Sequence, residues 1–323
     1  MDNTATISEP QDDRSSDDLA ELLAGLSQPQ KMISPKYFYD EHGSELFEQI
    51  TRQPEYYPTR TELSILRLYA GEISEALGDG VSLIEFGAGA SVKVRILLDH
   101  VEGIQVFVPV DISGDHLALA AQELAGDYPN IEILPVAADF TRPFDLPSPR
   151  VMPERNVVFF PGSTIGNFAP DDALALLGTM RAVAKSGGAL LIGVDLKKDA
   201  GVLERAYNDS AGITEAFNVN MLTHLNRDYG TNFDISKFMH RSLYNERHGR
   251  IEMHLVSTEP QSVALGDKTF DFKVGEYILT ECSYKYTLEE FAELAGKAGF
   301  KVEQVWTDAA ANFSLQYLTV LDP

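Results

Sequence analysis

Two rhythms of apolar and polar positions divide the 323-residue chain. Early segments repeat apolar residues every three to four positions, and DDLAELLAGL (17–26), GSELFEQITR (43–52) and RTELSILRLYAGEISEAL (60–77) each predict an amphipathic helix. QPEYYPTRT, between the last two, reads as a proline-bounded loop. From residue 82 short apolar runs alternate with helical stretches: SLIEF then SVKVRILLDHV, QVFVPVD then GDHLALAAQELAG, IEILPVAADF, NVVFFPGS then PDDALALLGTMRAVA, and ALLIGVD. That alternation predicts an α/β fold with a parallel sheet covered on both faces. Beyond Asp195 the pattern breaks into helices (197–230), and RIEMHLVS (250–257) and KTFDFKV (268–274) then predict a small antiparallel sheet inserted after the fifth strand. Helix LEEFAELAGKAG and strands FKVEQVWTD and FSLQYLTVL close the chain in the earlier style. The expected division is therefore a main domain over 61–197 and 286–323 and a smaller α+β accessory domain over 16–60 and 198–285. The acidic, serine-rich residues 1–15 read as a disordered tail.

Within the main domain, LIEFGAGASVK (83–93) followed by VFVPVD (106–111) reads as strand, glycine turn, helix and a second strand ending in a carboxylate. Gly87 and Gly89 let the backbone turn sharply and approach a ligand, as the first turn of a Rossmann-like unit requires. A dinucleotide site would place a third glycine at position 92, where Val92 stands, so nicotinamide and flavin cofactors are disfavoured. Glu85 before the turn and Asp111 after the second strand suit a cofactor with a ribose and no pyrophosphate, and S-adenosylmethionine is the candidate.

Ligands of open α/β sheets sit beyond the carboxyl ends of the strands. There stand Gly87 to Lys93, Asp111, Asp139 with Phe140, and PGSTIGNF (161–168). Asp111 suits the two ribose hydroxyls, and Asp139 with Phe140 the adenine amino group and ring; Asp139 reads less readily as a simple strand-end cap. Asn167 is a neutral amide where many methyltransferases orient the acceptor, but its context is not the N-P-P-Y of enzymes acting on DNA bases.

Charge narrows the partners. With 26 basic and 49 acidic residues the formal net charge is -23, which disfavours nucleic acid and anionic membrane, and a small substrate is expected instead. Residues 1–19 hold no apolar secretory core, no stretch reaches transmembrane length, and the lone Cys282 fits a reducing compartment, so a cytoplasmic, monomeric protein is expected. The histidines, at 42, 100, 116, 224, 240, 248 and 254, form no ligand pair, and no metal is expected. Neither a G-x-S-x-G elbow nor a Walker loop is present.

Several longer strings carry a resemblance: PKYFYDEHGSELFEQIT (35–51), RQPEYYPTRTE (52–62), PGSTIGNF (161–168), DLKKDAGVLERAYND (195–209), RIEM (250–253) and LTECSYKY (279–286). On these the chain resembles the L-histidine-specific methyltransferases of ergothioneine biosynthesis. The resemblance implies a Rossmann-like class I methyltransferase sheet, with the closing strands as its reversed last hairpin, and a second, substrate-binding domain. It implies trimethylation of histidine to hercynine by S-adenosylmethionine. It places Tyr56 and Tyr207 on the histidine carboxylate and Glu281 and Ser283 on its imidazole. Asn167, with Tyr39 nearby, would turn the α-amino group toward the methyl donor, and Met253 would wall the imidazole. Gly87, Lys93, Asp111, Asp139 and Phe140 fall on the cofactor positions. The family's glycine turn commonly carries hydroxyls where this chain has Ala88 and Ala90, so side-chain hydrogen bonds there are lost while backbone contacts remain.

Read from the residues alone, Tyr56 and Tyr57 equally pack a helix entrance, Glu281 equally forms a strand salt bridge, and Met253 equally fills a core. Two other functions are compatible with the same scaffold. One is N-methylation of another small amine such as tryptophan, and the other is a catalytically silent cofactor-binding protein.

Overall fold

The computed structural model describes residues 12–89 and 92–321; most of the expected tail, and Ala90 of the glycine turn, lie outside the described residues. In chain order its helices are α1 (Asp12–Leu26), α2 (Glu41–Thr51), α3 (Tyr57–Leu68), α4 (Ala70–Leu77), α5 (Val92–His100), α6 (Gly114–Asp127), α7 (Pro170–Ala184), α8 (Ala200–Ala206), α9 (Ile213–Asp228) and α10 (Leu288–Lys297). The strands are β1 (Val81–Phe86), β2 (Ile104–Asp111), β3 (Glu132–Ile133), β4 (Val136–Ala137), β5 (Arg155–Phe160), β6 (Ala189–Asp195), β7 (Phe238–Asn245), β8 (Arg250–Ser257), β9 (Gln261–Leu265), β10 (Lys268–Phe272), β11 (Tyr277–Tyr284), β12 (Phe300–Thr307) and β13 (Phe313–Val320). The chain forms two compact units. The first comprises Met1–Tyr56, Gly201–Asn245 and Ile251–Cys282, and the second Tyr57–Ala200, Glu246–Arg250 and Ser283–Pro323.

The second unit is built on one sheet in the order β12-β13-β6-β5-β1-β2-β3, with β4 also pairing β2. β1 lies parallel to β2 on one side and to β5 on the other, so Ile84 stands opposite both Val108 and Val158. β13 runs antiparallel to both β6 and β12, the reversed last hairpin. Every residue of β1 and β6 is buried, which is why these strands read as continuous apolar runs and not as alternations. Leu83, Val157, Phe159, Leu191 and Leu315 pack with Ile65, Leu66, Ile73, Leu77, Val94 and Leu97 from α3, α4 and α5 into one core. Helix α7 lies on β5 and β6, and α10 on α7 and β12. Strand order reverses between β1 and β5, which opens the crevice beyond their carboxyl ends.

Local structure departs from the sequence pattern in three places. The helix expected over 60–77 starts earlier, at Tyr57, with Pro58 in a first turn that needs no N–H from it. It also breaks at Tyr69 (φ -107, ψ 17), and the bend brings Ile73 and Leu77 to the same core as Ile65 and Leu66. The third strand survives only as β3 and β4. Leu134 still donates to the Phe107 carbonyl (2.9 Å), but Pro135 has no N–H and interrupts the ladder. RIEMHLVS and KTFDF, finally, enter different sheets.

That last difference belongs to the first unit, where β8 is the middle strand of β11-β8-β7 while β10 pairs antiparallel with β9. A two-residue turn containing Gly266 (φ +56) closes the β9–β10 hairpin on itself. In the same unit α2 packs against α9. Lys31 and Ile33 hook the N-terminal segment onto β11 through backbone bonds to Leu279 (2.9 and 3.0 Å).

Candidate active site

The glycine turn follows β1 directly. Gly87 adopts φ +72, and a Cβ there would lie 3.6 Å from the Phe140 ring, so the bare backbone faces Phe140. The N–H groups of Gly87 and Ala88 both donate to the Val110 carbonyl (2.9 and 3.2 Å), tying the turn to the end of β2. Phe140 itself rests on Phe86 and Phe160, with ring centroids 5.5 and 5.8 Å away. The Ala138 N–H donates to the Asp111 carbonyl (3.0 Å), bringing the segment that carries Asp139 beside Asp111. Asp111 accepts from the Ser113 N–H (3.0 Å), while Asp139 accepts from the N–H and hydroxyl of Thr141 (2.9 and 2.6 Å) and so caps its own turn. Both the ligand role and the capping role are compatible with that geometry.

Beneath the turn lies Glu85, 4% exposed, whose Oε2 has no hydrogen-bond partner among the described residues. Burial, opposed by Lys93 and reinforced by Glu62 and Asp111, pushes its pKa up to about 8. Lys93 is already paired: its Nζ stands 2.6 Å from the fully buried carboxylate of Glu62. Both oxygens of Glu62 also accept from the Gly162 N–H (2.9 Å each). Glu62 thus joins the lysine after the glycine turn to the loop after β5, a role the sequence reading missed although TE stands in the quoted string 52–62.

That loop carries Asn167, exposed at the end of the 3-10 turn Thr164–Asn167. The loop's shape is fixed at both ends. Ser163 sits in the left-handed region (φ 57), held by the Asp195 N–H donating to its Oγ (2.8 Å). Gly166 packs so closely on β11 that a Cβ would lie 2.7 Å from the Tyr284 carbonyl and 3.5 Å from the Ser283 Oγ. Ser283 therefore lies beside Gly166, the residue that precedes Asn167, within the second unit.

The other expected substrate residues lie in the first unit. Tyr39 and Tyr56 both meet Phe47 edge-on, at 5.8 and 6.4 Å, and Tyr56 meets Tyr207 edge-on at 6.2 Å. Tyr39 is 48% exposed, yet the desolvated surroundings of its hydroxyl, then the charges of Glu281 and Tyr207, push its pKa well up. Tyr39, Tyr207 and Glu281 thus share one electrostatic neighbourhood. Met253 is 1% exposed and sits as core in β8, where its carbonyl accepts from the Thr280 hydroxyl (3.1 Å).

A buried support lies behind this cluster. Asn218 donates to His240 Nδ1 (2.8 Å), and its Oδ1 accepts from Thr280 (2.7 Å), which fixes the amide's orientation. His240 therefore carries its proton on Nε2 and donates to the Tyr207 carbonyl (2.9 Å). Burial lowers its pKa and keeps it neutral. Sequence pattern alone assigns no role to Asn218 or His240, whose pairing appears only in the folded chain.

The residues around the crevice fit S-adenosylmethionine: a turn at Gly89 where a Cβ would meet nothing within 4 Å among the described residues, carboxylates at the strand ends, an aromatic ring, and a buried carboxyl oxygen with no partner among the described residues. The sequence matches the family described as histidine-specific methyltransferase, SAM-dependent, over residues 18–320. It is 42% identical over 300 residues to a histidine N-alpha-methyltransferase of Mycolicibacterium smegmatis, covering 91% of this chain and 92% of the relative. It is 30% identical over 292 residues to ergothioneine biosynthesis protein 1 of Schizosaccharomyces pombe, covering 87% of this chain and 38% of that longer protein. A solved S-adenosylmethionine-dependent methyltransferase from Clostridium acetobutylicum matches with a TM-score of 0.50 at 11% identity, over 86% of this chain and 99% of that one, a likeness of fold alone. With a Rossmann-like sheet whose crevice fits the methyl donor and a family match that runs almost end to end, the chain belongs to the S-adenosylmethionine-dependent, histidine-specific methyltransferases.

Proposed function

We propose that this enzyme methylates the α-amino nitrogen of L-histidine and carries the reaction through to hercynine, the trimethylated betaine, the first step of ergothioneine biosynthesis. The observation that carries this reading is the shared neighbourhood of Tyr39, Tyr207 and Glu281. It offers a carboxylate to accept an imidazole N–H beside hydroxyls suited to an amino acid's carboxylate and amine.

Bound S-adenosylmethionine supplies an electrophilic methyl group on a cationic sulfonium. The chain's own task is alignment, because an in-line displacement needs only a neutral amine lone pair at contact distance. In this reading Asp111 accepts from the ribose hydroxyls, and Asp139 with Phe140 takes the adenine. Gly87 lets the backbone close on the donor, and Lys93, fixed by Glu62, completes that side. Tyr56 and Tyr207 donate to the histidine carboxylate. Asn167 and Tyr39 accept from the amine N–H groups, so its lone pair is directed without adding positive charge. A free amino acid's amine is mostly protonated near neutral pH, so only a small neutral fraction is available in solution, and the neighbouring cationic sulfonium favours the neutral form in the site. Glu281 and Ser283 hold the ring, and Met253 shapes the wall beside it. An indole ring offers an N–H to Glu281 but no bare nitrogen to Ser283, and a phenyl ring offers neither, so both are disfavoured.

The test is a competition in which histidine, tryptophan and histamine are supplied together with the methyl donor. Histidine is expected to be consumed first. Tryptophan or histamine outrunning it would overturn the reading.

A further inference from the structure

Behind Ser283 lies a charge network for which the reading above has no use. Asp195, at the end of β6, is 0% exposed. Its carboxylate accepts from the Tyr57 hydroxyl (2.7 and 2.8 Å) and from Lys198 (2.6 Å), and it pairs with Lys285 (2.8 Å). Burial alone would raise its pKa, but Lys285 and Lys198 outweigh that and hold it low, so it is ionised. Lys285 is 2% exposed, and its Nζ also donates to the Ser283 Oγ (2.8 Å). Its backbone is pinned as well, by an N–H bond to the Gly249 carbonyl (2.8 Å). Asp195 reaches the loop after β5 that carries Asn167 too, through its N–H bond to Ser163 (2.8 Å).

An ammonium donates and never accepts. The Ser283 hydroxyl, already accepting from Lys285, cannot direct its single hydrogen at that lysine. The adjacent cation strengthens the hydroxyl as a donor and repels any cationic group that approaches it. A neutral imidazole presents one N–H and one bare nitrogen, whereas an imidazolium presents two N–H groups.

We propose that Lys285, anchored by Asp195, is a specificity-determining positioning residue that commits Ser283 to donate to the bare ring nitrogen of a neutral imidazole. The inference rests on the reading that Ser283 meets the acceptor's ring. Glu281, two positions earlier on β11, takes the ring N–H, and the pair then admits one protonation state and one orientation of the ring. Pyrrole and indole rings, which have an N–H and no bare nitrogen, satisfy Glu281 but not Ser283.

The test is a double-mutant cycle on the full chain with Ser283→Ala, Lys285→Met and both together. Calorimetric affinities are measured for L-histidine, for 3-(pyrrol-2-yl)alanine and for S-adenosylmethionine. Each single substitution is expected to weaken histidine roughly thirtyfold, and the double to weaken it no more than about twofold beyond either. The preference for histidine over the pyrrole analogue should shrink to within roughly threefold in all three variants, with S-adenosylmethionine affinity changed by less than about twofold. Lys285→Gln, which keeps a neutral N–H for Ser283, serves as the milder variant and should lose less. Additive losses for histidine, or a pyrrole preference unmoved by either Lys285 substitution, would overturn the proposal. Loss of S-adenosylmethionine binding by both Lys285 variants would overturn it too, by making the lysine a residue of the fold. A native protein that binds S-adenosylmethionine but not histidine would instead remove the reading on which the proposal rests.

Discussion

Glu281 and Glu85 are both carboxyl groups at the site, and their surroundings give them opposite tasks. Glu281 adds its negative charge to the burial that raises the Tyr39 pKa, and in the proposed reading it accepts the ring N–H. Glu281→Ala is expected to weaken histidine binding about a hundredfold while S-adenosylmethionine binding changes by less than about twofold, because only one ligand loses a charge-assisted hydrogen bond. Equal losses for both ligands in calorimetry would mark Glu281 as structural. Burial pushes the Glu85 pKa up to about 8 from the ordinary 4.5, so the folded state holds a proton that the unfolded state has released between those values. Stability contributed by the neutral group is full below about 4.5 and declines as pH rises toward 8, by up to about 5 kcal/mol. Glu85→Gln should therefore melt closer to the native protein at pH 5 and above it at pH 8; a difference independent of pH would contradict the assignment. At this scale Gly87, Lys93, Asp111, Asn167 and Tyr207 could be singled out as candidates because they stand in short strings. Glu62, His240, Asp195 and Lys285 were not, because their partners come from distant segments and a lone buried charge leaves no local pattern.

Helix α2 shows how an element can position a residue it does not contain. A Cβ on Gly43 would lie 1.7 Å from the Phe38 carbonyl, so the first turn of α2 can sit against the 3-10 turn Pro35–Phe38, and hence just after Tyr39, only with glycine there. Asp40 caps the same helix by accepting from the Gly43 N–H (2.8 Å), and it also binds Asn220 (2.8 Å) and Arg227 (2.9 Å). Gly43→Ala is expected to cost about 2–3 kcal/mol in chemical denaturation and to weaken histidine more than S-adenosylmethionine. Thr287→Ala, which breaks the capping box of α10 with Glu290, should cost only about 1 kcal/mol and leave both affinities alone. Histidine affinity unchanged in Gly43→Ala would show that the turn does not place Tyr39. Helix periods and apolar strands were readable because burial follows the 3.6 and continuous patterns. The break at Tyr69, the interruption at Pro135 and the separation of β8 from β10 depend on which core each segment reaches, and apolar spacing does not record that.

Across the whole chain, 49 acidic against 26 basic residues leave a large surplus of negative charge. Much of that repulsion is long-range and falls within reach of screening, since the Debye length shrinks from roughly 30 Å at 0.01 M salt to about 8 Å at 0.15 M. The melting temperature should therefore rise over that range of sodium chloride; a fall would mean that surface ion pairs such as Lys36 with Asp18 and Glu21 dominate instead. The alternation of strands and helices made the parallel sheet and its reversed hairpin legible, while the split of the first unit into three chain segments appears only once the chain is folded. The central claim is the reaction. It is tested most directly by incubating the protein with L-histidine and excess S-adenosylmethionine, resolving the products by mass spectrometry and quantifying S-adenosylhomocysteine in parallel. The expected result is trimethylhistidine as the end product, with three S-adenosylhomocysteines formed per histidine consumed. Histidine left unmethylated, or a product that stops at one or two methyl groups, would contradict it.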